Sequence, residues 1–332
     1  MAQDSSPLAP PAPLGWEAVA DTLIRLTNHD GDAIAWIAPQ YGANCVAFVT
    51  YAHGKWVQVL HNEGHDALAA RPSRFGCAVL FPFPGHMQDF RYHWQGEIFT
   101  IPRNGSTAAG FGHGFTHTRP WQVADVTTSR AMMTFSTHDA LTADEHAGYP
   151  FDIRLTETVA LVETRLRISL HAVNEGGNVA PVGLGLHPYF PVATLGGNRA
   201  QVAVRLPGRE EHVLMPAIPT GEKRPVTSPS IAVPAMPDTA HVARTTLERH
   251  PYAALSGDSS GDTILFTFVE GVRDVMCFTP PDQPSISVEP LSCAPSAASQ
   301  AEGHPDGLVP LAPGAGMTMT VEISLETTTG TR

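Results

Sequence analysis

Residues 317–325 read Met-Thr-Met-Thr-Val-Glu-Ile-Ser-Leu. Met317, Met319, Val321, Ile323 and Leu325 alternate with Thr318, Thr320, Glu322 and Ser324, so the apolar set has period 2. Successive side chains of a strand point to opposite faces, and alternation over this length marks a half-buried antiparallel strand. The signature recurs upstream. Leu166, Ile168, Leu170 and Ala172 alternate with Arg165, Arg167, Ser169 and His171. Val202, Val204 and Leu206 repeat it, as do Ile264, Phe266 and Phe268, with a shorter run at 132–136. Towards the N-terminus, 33–37, 45–51 and 55–60 read as strands, with turns at Tyr41-Gly42 and His53-Gly54, an opening meander.

So many short strands, with no internal repeat, predict an all-β chain: a large antiparallel β-sandwich of two sheets with few short helices. The best helical signals are 65–70 and 245–255, and Pro251 interrupts the second. Proline-rich stretches at 207–237 and 279–295 read as long loops, not linkers, because strands continue beyond both. One domain is expected over residues 16–327. A Pro/Ala-rich arm at 1–15 reads as disordered, and 328–332 as a flexible tail.

Composition narrows the function. The 332 residues carry a net charge of -12, and lysine occurs only at Lys55 and Lys223. Nucleic acid and anionic membrane both need basic faces, so neither is an expected partner. No run approaches the length of a membrane span, and the first residues lack the basic and apolar regions of a secretory signal. Cys45, Cys77, Cys277 and Cys293 form no CxxC pair and read as free, mostly buried thiols, which suits the cytoplasm. No motif decides between monomer and homodimer.

Three stretches carry candidate chemistry. The first is 75–121, FGCAVLFPFPGHMQDFRYHWQGEIFTIPRNGSTAAGFGHGFTHTRPW, in which glycine flanks His113 on both sides. Within it Arg91 to Ile101 reads as a hairpin turning at Gln95-Gly96, and 104–114 as a loop. The second is GLGLHPYF around His187 and the third ISVEPLS around Glu289. Proline follows both His187 and Glu289, which biases each towards extended backbone. In the third stretch Ile286 and Val288 share one face, Ser287 and Glu289 the other. A carboxylate and a histidine so placed suit a general base and a general acid. Taken singly, HP and EP dipeptides are ordinary loop grammar, and His113 equally reads as a histidine bonded to a turn.

Together, LFPFPGHMQDFRYHWQGEIFTIP with GHGFTHTRPW, then LGLHPYF, then SVEPLSCAP resemble the aldose 1-epimerase (galactose mutarotase) family, over about residues 20–326. The resemblance implies a galactose mutarotase-like supersandwich and an isomerase that interconverts the α and β anomers of a free sugar, a hexose, by opening its ring. It implies Glu289 as base at the C1 hydroxyl, His187 as acid at the ring oxygen and His113 as a hydrogen-bonding orienter, with no metal or organic cofactor. Relatives carry Asn-Arg where this chain has Gly85-His86, so His86 stands in for a sugar-binding arginine, with Arg91 and Arg74 as candidates to compensate. Asp238 is the nearest match to a sugar-binding aspartate, without the aromatic that follows it in relatives. Trp121 matches a family position and reads as core.

Other readings stand beside this one. A hexose 6-phosphate substrate would need arginines converging on phosphate, from among Arg71, Arg74, Arg91 and Arg119. A non-catalytic sugar-binding or sensing protein could share the scaffold. Metal chemistry would draw on His61-x-Glu63-x-His65 or on His113 and His117, but the HxH signature of cupins is absent. A hydrolase would usually use two carboxylates, and only Glu289 is an obvious candidate.

Overall fold

The computed structural model describes residues 12–103, 111–215, 217–235, 241–258, 261–279, 283–300 and 306–327. Asp238, the 328–332 tail and most of the N-terminal arm lie outside these residues.

The alternating segments form the middle of a nine-stranded antiparallel sheet. Gly316–Thr327 lies between Arg165–Asn174 and Asp262–Glu270, placing Ile323 opposite both Leu166 and Phe266. Ile153–Val162, Arg130–Ser136 and Gln122–Val126 extend the sheet one way; Tyr252–Gly257, Val202–Arg205 and Ser230–Ala232 extend it the other. A second, seven-stranded sheet has the order Pro219–Pro225, Glu210–Leu214, His241–Thr245, Asp274–Phe278, Ser285–Leu291, Gly185–Pro191, Cys77–Leu80. Leu166, Ile168, Val321 and Ile323 of the first sheet share one buried apolar cluster with Val79, Leu186, Ile286 and Val288 of the second. Period 2 therefore leaves alternate residues of the second sheet facing away from this core, and the site forms on that face. The expected meander is a four-stranded sheet of Ile24–Thr27, Ala33–Ala38, Asn44–Ala52 and Lys55–Leu60, in chain order.

The predicted helix at 65–70 is present as His65–Ala70. The predicted hairpin is Arg91–Trp94 paired with Glu97–Thr100. Gln95 and Gly96 turn it with φ of 52° and 80°, the doubly positive pair that matches strand twist. All four cysteines are free and buried. No described helix is long and apolar enough to cross a membrane.

Three expectations are corrected. Residues 245–255 are not helical: His241–Thr245 ends one strand and Tyr252–Gly257 forms another, in which Ala253 and Leu255 enter the core. Pro251 blocks a helix, and pairing of Tyr252–Ser256 with Thr263–Thr267 satisfies the extended backbone. The 207–237 stretch is not a loop but holds Glu210–Leu214, Pro219–Pro225 and Ser230–Ala232. Pro219–Pro225 is the sheet's outer strand and is almost wholly exposed, so it tolerates proline and shows no apolar period. Residues 279–295 include Ser285–Leu291, an inner strand of the same sheet.

Candidate active site

His187 and Glu289 stand on neighbouring antiparallel strands. Gly185 pairs with Leu291 and Tyr189 with Ser287, which sets His187 across from Glu289. His187 Nε2 lies 3.3 Å from Glu289 Oε1, and their side chains are 5% and 6% exposed. On the other edge of the imidazole, Nδ1 is 2.8 Å from Ser287 Oγ, and that hydroxyl donates to Pro188 O at 2.9 Å. Tyr189, two residues on and so on the same face, stacks on the His187 ring at 4.9 Å and 7°.

His113 meets His187 edge-on, with ring centroids 5.1 Å apart. Its backbone is left-handed, φ 63°, and is pinned on both sides. Its N–H donates to Gly85 O at 2.8 Å and its carbonyl accepts from the Phe81 N–H at 3.2 Å. Gly114 is required here: a Cβ would sit 1.9 Å from Phe81 O. The glycines around His113 thus press one loop against another strand end and aim the imidazole at His187. His86 follows at 5.4 Å from His113, its own N–H donating to Ser296 Oγ.

His187, Glu289, His113 and His86 line a cavity of about 460 Å³, a size that suits a small molecule. Arg74, His117, Tyr189, His241 and Phe278 also line it. Arg74 lies over the Phe278 ring at 5.4 Å, and His241 stacks on Phe278 at 4.9 Å. Arg71 reaches Glu63 at 3.6 Å. Arg119 pairs with Glu145 at 2.5 Å. Glu145 is held in turn by a capping box with Thr142 at the start of Ala143–Gly148. Thr142→Ala should therefore cost about 1 kcal/mol in denaturant unfolding, the usual loss for a capping side chain.

Of the expected sugar-binding residues, His86 and Arg74 reach the cavity, whereas Arg91 does not. Arg91 is exposed on the Arg91–Trp94 strand, and strand alternation buries Tyr92 instead. Asp238 lies outside the described residues. Trp121 is core, 3% exposed and packed on Phe135. His61 contacts Glu63 at 3.1 Å away from the cavity, and among the described residues no group of three His, Cys, Asp or Glu side chains could hold a metal.

Burial holds Glu289 and the cavity's imidazoles towards their neutral forms. Burial pushes the Glu289 carboxyl up to about 8. Burial, reinforced by Arg74 and neighbouring imidazoles, pushes His187 down to about 3. The same causes hold His113 well below the usual histidine range, and burial alone lowers His117 to about 4. His86 is lowered by burial and by Arg74. The His187–Glu289 pair therefore favours one shared proton and no net charge.

The sequence profile described as Aldose 1-epimerase matches residues 23–324, and the chain belongs to that family. A galactose mutarotase-like protein from Clostridium acetobutylicum has the same fold, with TM-score 0.78 at 18% identity, over 92% of this chain and 95% of that one. The GalM/aldose epimerase homologue from C. elegans gives TM-score 0.75 at 17% identity, over 92% and 98%. Among curated proteins, YihR of Escherichia coli, itself uncharacterised, is 26% identical over 175 residues, 50% of this chain and 53% of YihR. The chain thus spans about half the length of this relative, and 37% of a second, YphB.

Proposed function

We propose that the chain is an aldose 1-epimerase acting on a free hexose, with Glu289 as base, His187 as acid and His113 as orienter. The observation that carries this reading is the His187–Glu289 contact of 3.3 Å in a cavity wall. Ring opening removes a proton from the C1 hydroxyl and delivers one to the ring oxygen, and both oxygens are bonded to C1. Two adjacent groups, one basic and one acidic, match that demand.

Glu289 takes the hydroxyl proton while His187 Nε2–H protonates the ring oxygen; the C1–ring oxygen bond breaks and C1=O forms. The pair is then a neutral carboxyl beside a neutral imidazole, the form that burial favours for both groups. Rotation about C1–C2 turns the other face of the aldehyde to the ring-closing hydroxyl, and return of both protons gives the opposite anomer. Before opening, one proton must pass from Glu289 to His187, across the 3.3 Å contact. His113 donates to the sugar oxygen where charge develops, and His86 and Arg74 bind hydroxyls.

The pair must hold one proton in total. Above about 8 Glu289 loses it, and no acid is left for the ring oxygen. Below about 3 His187 keeps a second proton, and no base is left. kcat/KM should be flat through neutral pH and fall above about 8. A limb at the ordinary histidine value would contradict this proton count.

One observation favours a second reading, an anionic sugar such as a hexose 6-phosphate. The Arg74 guanidinium has no carboxylate partner among the described residues. Polarimetry on freshly dissolved α-D-glucose, α-D-galactose and α-D-glucose 6-phosphate separates the two. Acceleration of the neutral sugars supports the first reading, and acceleration of the phosphate alone supports the second. Sugar binding without acceleration of any supports a non-catalytic role.

A further inference from the structure

The reading of His187 as the acid leaves open which of its two nitrogens carries the resident proton. We propose that Ser287 fixes the neutral His187 ring as the Nδ1–H tautomer, so that Nε2, the nitrogen facing Glu289, is the one that gains and loses a proton.

Ser287 is fully buried, and its hydroxyl has a single proton. Pro188 O, 2.9 Å from Ser287 Oγ, can only accept, so that proton is spent there. The contact of 2.8 Å between Oγ and His187 Nδ1 is then a hydrogen bond only if Nδ1–H donates. In the opposite tautomer a bare Nδ1 would face an oxygen lone pair, or Ser287 would give up Pro188 to serve it. Either choice loses one of two buried hydrogen bonds, which is costly away from water.

Strand geometry ties this arrangement to the Glu289 contact. Ser287 and Glu289 are two residues apart on one strand and share a face. The same strand therefore grips both edges of the imidazole: Ser287 at Nδ1 and Glu289 at Nε2. Tyr189 stacks on the ring plane and limits its rotation. The bond to Ser287 survives when the ring is charged, because Nδ1–H still donates. A proton arriving from Glu289 can then settle only on Nε2, from which it reaches a sugar oxygen. Were the resident proton on Nε2, that nitrogen could not take the Glu289 proton, and the transfer that precedes ring opening would be blocked. Ser287 is thus a positioning residue, acting through His187.

The test is a long-range proton–nitrogen NMR spectrum of histidine-labelled protein at pH 7, with the His187 signals identified by their loss in His187→Gln. Wild type should show a protonated Nδ1 and a bare Nε2. In Ser287→Ala the ring should move to the other tautomer or a mixture, and kcat should fall at least about tenfold with little change in KM. Ser287→Thr, which keeps the hydroxyl, should restore both. A protonated Nε2 in wild type overturns the proposal, as does an unchanged tautomer or an unchanged kcat in Ser287→Ala. The proposal deepens the function proposed above and partly rests on it. If no aldose is turned over, that function fails, whereas the wild-type spectrum still decides the tautomer.

Discussion

Glu289→Gln should lower the anomerisation rate by about 10²–10⁴-fold while sugar still binds. The amide keeps the size and shape of the carboxyl, so the cavity wall is preserved. It cannot take the C1 proton, and it cannot hold the single proton that the pair shares at neutral pH. The other lining groups, His113, His86 and Arg74, are untouched, so affinity survives. His187→Gln should reduce the rate over the same range, because the ring oxygen then leaves as an unprotonated alkoxide. The two losses should not multiply: groups that act as a unit are non-additive, and the double variant should resemble the worse single one. A near-normal rate in Glu289→Gln, measured by polarimetry on the best substrate, would remove the assignment of this pair.

His187→Gln should also change how stability depends on pH. The folded pKa of His187 lies below its unfolded value, at about 3 against 6.5. Its contribution is therefore intact above the unfolded value and is lost as pH falls towards the folded one. The unfolded chain takes the proton first, so protonation pulls the wild type towards unfolding between about 6.5 and 3. From 6.5 down to pH 4 the unfolded chain gains this advantage over about 2.5 pH units, at 1.36 kcal/mol each, which amounts to about 3 kcal/mol. Glu289 acts with the opposite sign: its folded value is raised, so its contribution is lost as pH rises towards about 8. That effect belongs to wild type and variant alike and drops out of their difference. Urea unfolding at pH 7 and pH 4 should show the variant gaining about 3 kcal/mol on wild type between the two. No relative gain would mean that His187 is not held neutral by burial.

Much of the frame is legible in the sequence where one face of a strand is buried and the other wet. Leu166 to Ala172 is of this kind; Met317 to Leu325 keeps the same alternation although Thr320 and Ser324 are buried too, and both strands lie mid-sheet. Legibility fails where a strand has no buried face, as in Pro219–Pro225, or where residues on neighbouring turns imitate a helix, as at 245–255. The Ala143–Gly148 helix is marked by its cap, the Thr142-x-x-Glu145 signature, because six residues are too few to show a helical period. The three candidate stretches around His113, His187 and Glu289 do converge. Tyr189 is recoverable from LHPYF, since a residue two beyond a strand histidine shares its face. Ser287 is recoverable from ISVEP in the same way. His241 and Phe278 are not, because their place in the cavity depends on sheet order. His241–Thr245 lies beside Asp274–Phe278, some thirty residues on, and no local pattern encodes that pairing. Arg91 fails for the reason Tyr189 succeeds: strand parity puts it on the solvent side.

The proposed opening and reclosing of an aldose ring by His187 and Glu289 can be observed without any change in the composition of the sugar solution. The most direct measurement is NMR exchange between the α and β anomeric proton signals of glucose and galactose, each at equilibrium, with increasing protein. Exchange should rise in proportion to protein, with every sugar carbon keeping its configuration except C1, and should be lost in Glu289→Gln. No exchange above buffer for either sugar, or equal exchange in wild type and Glu289→Gln, would contradict the proposal.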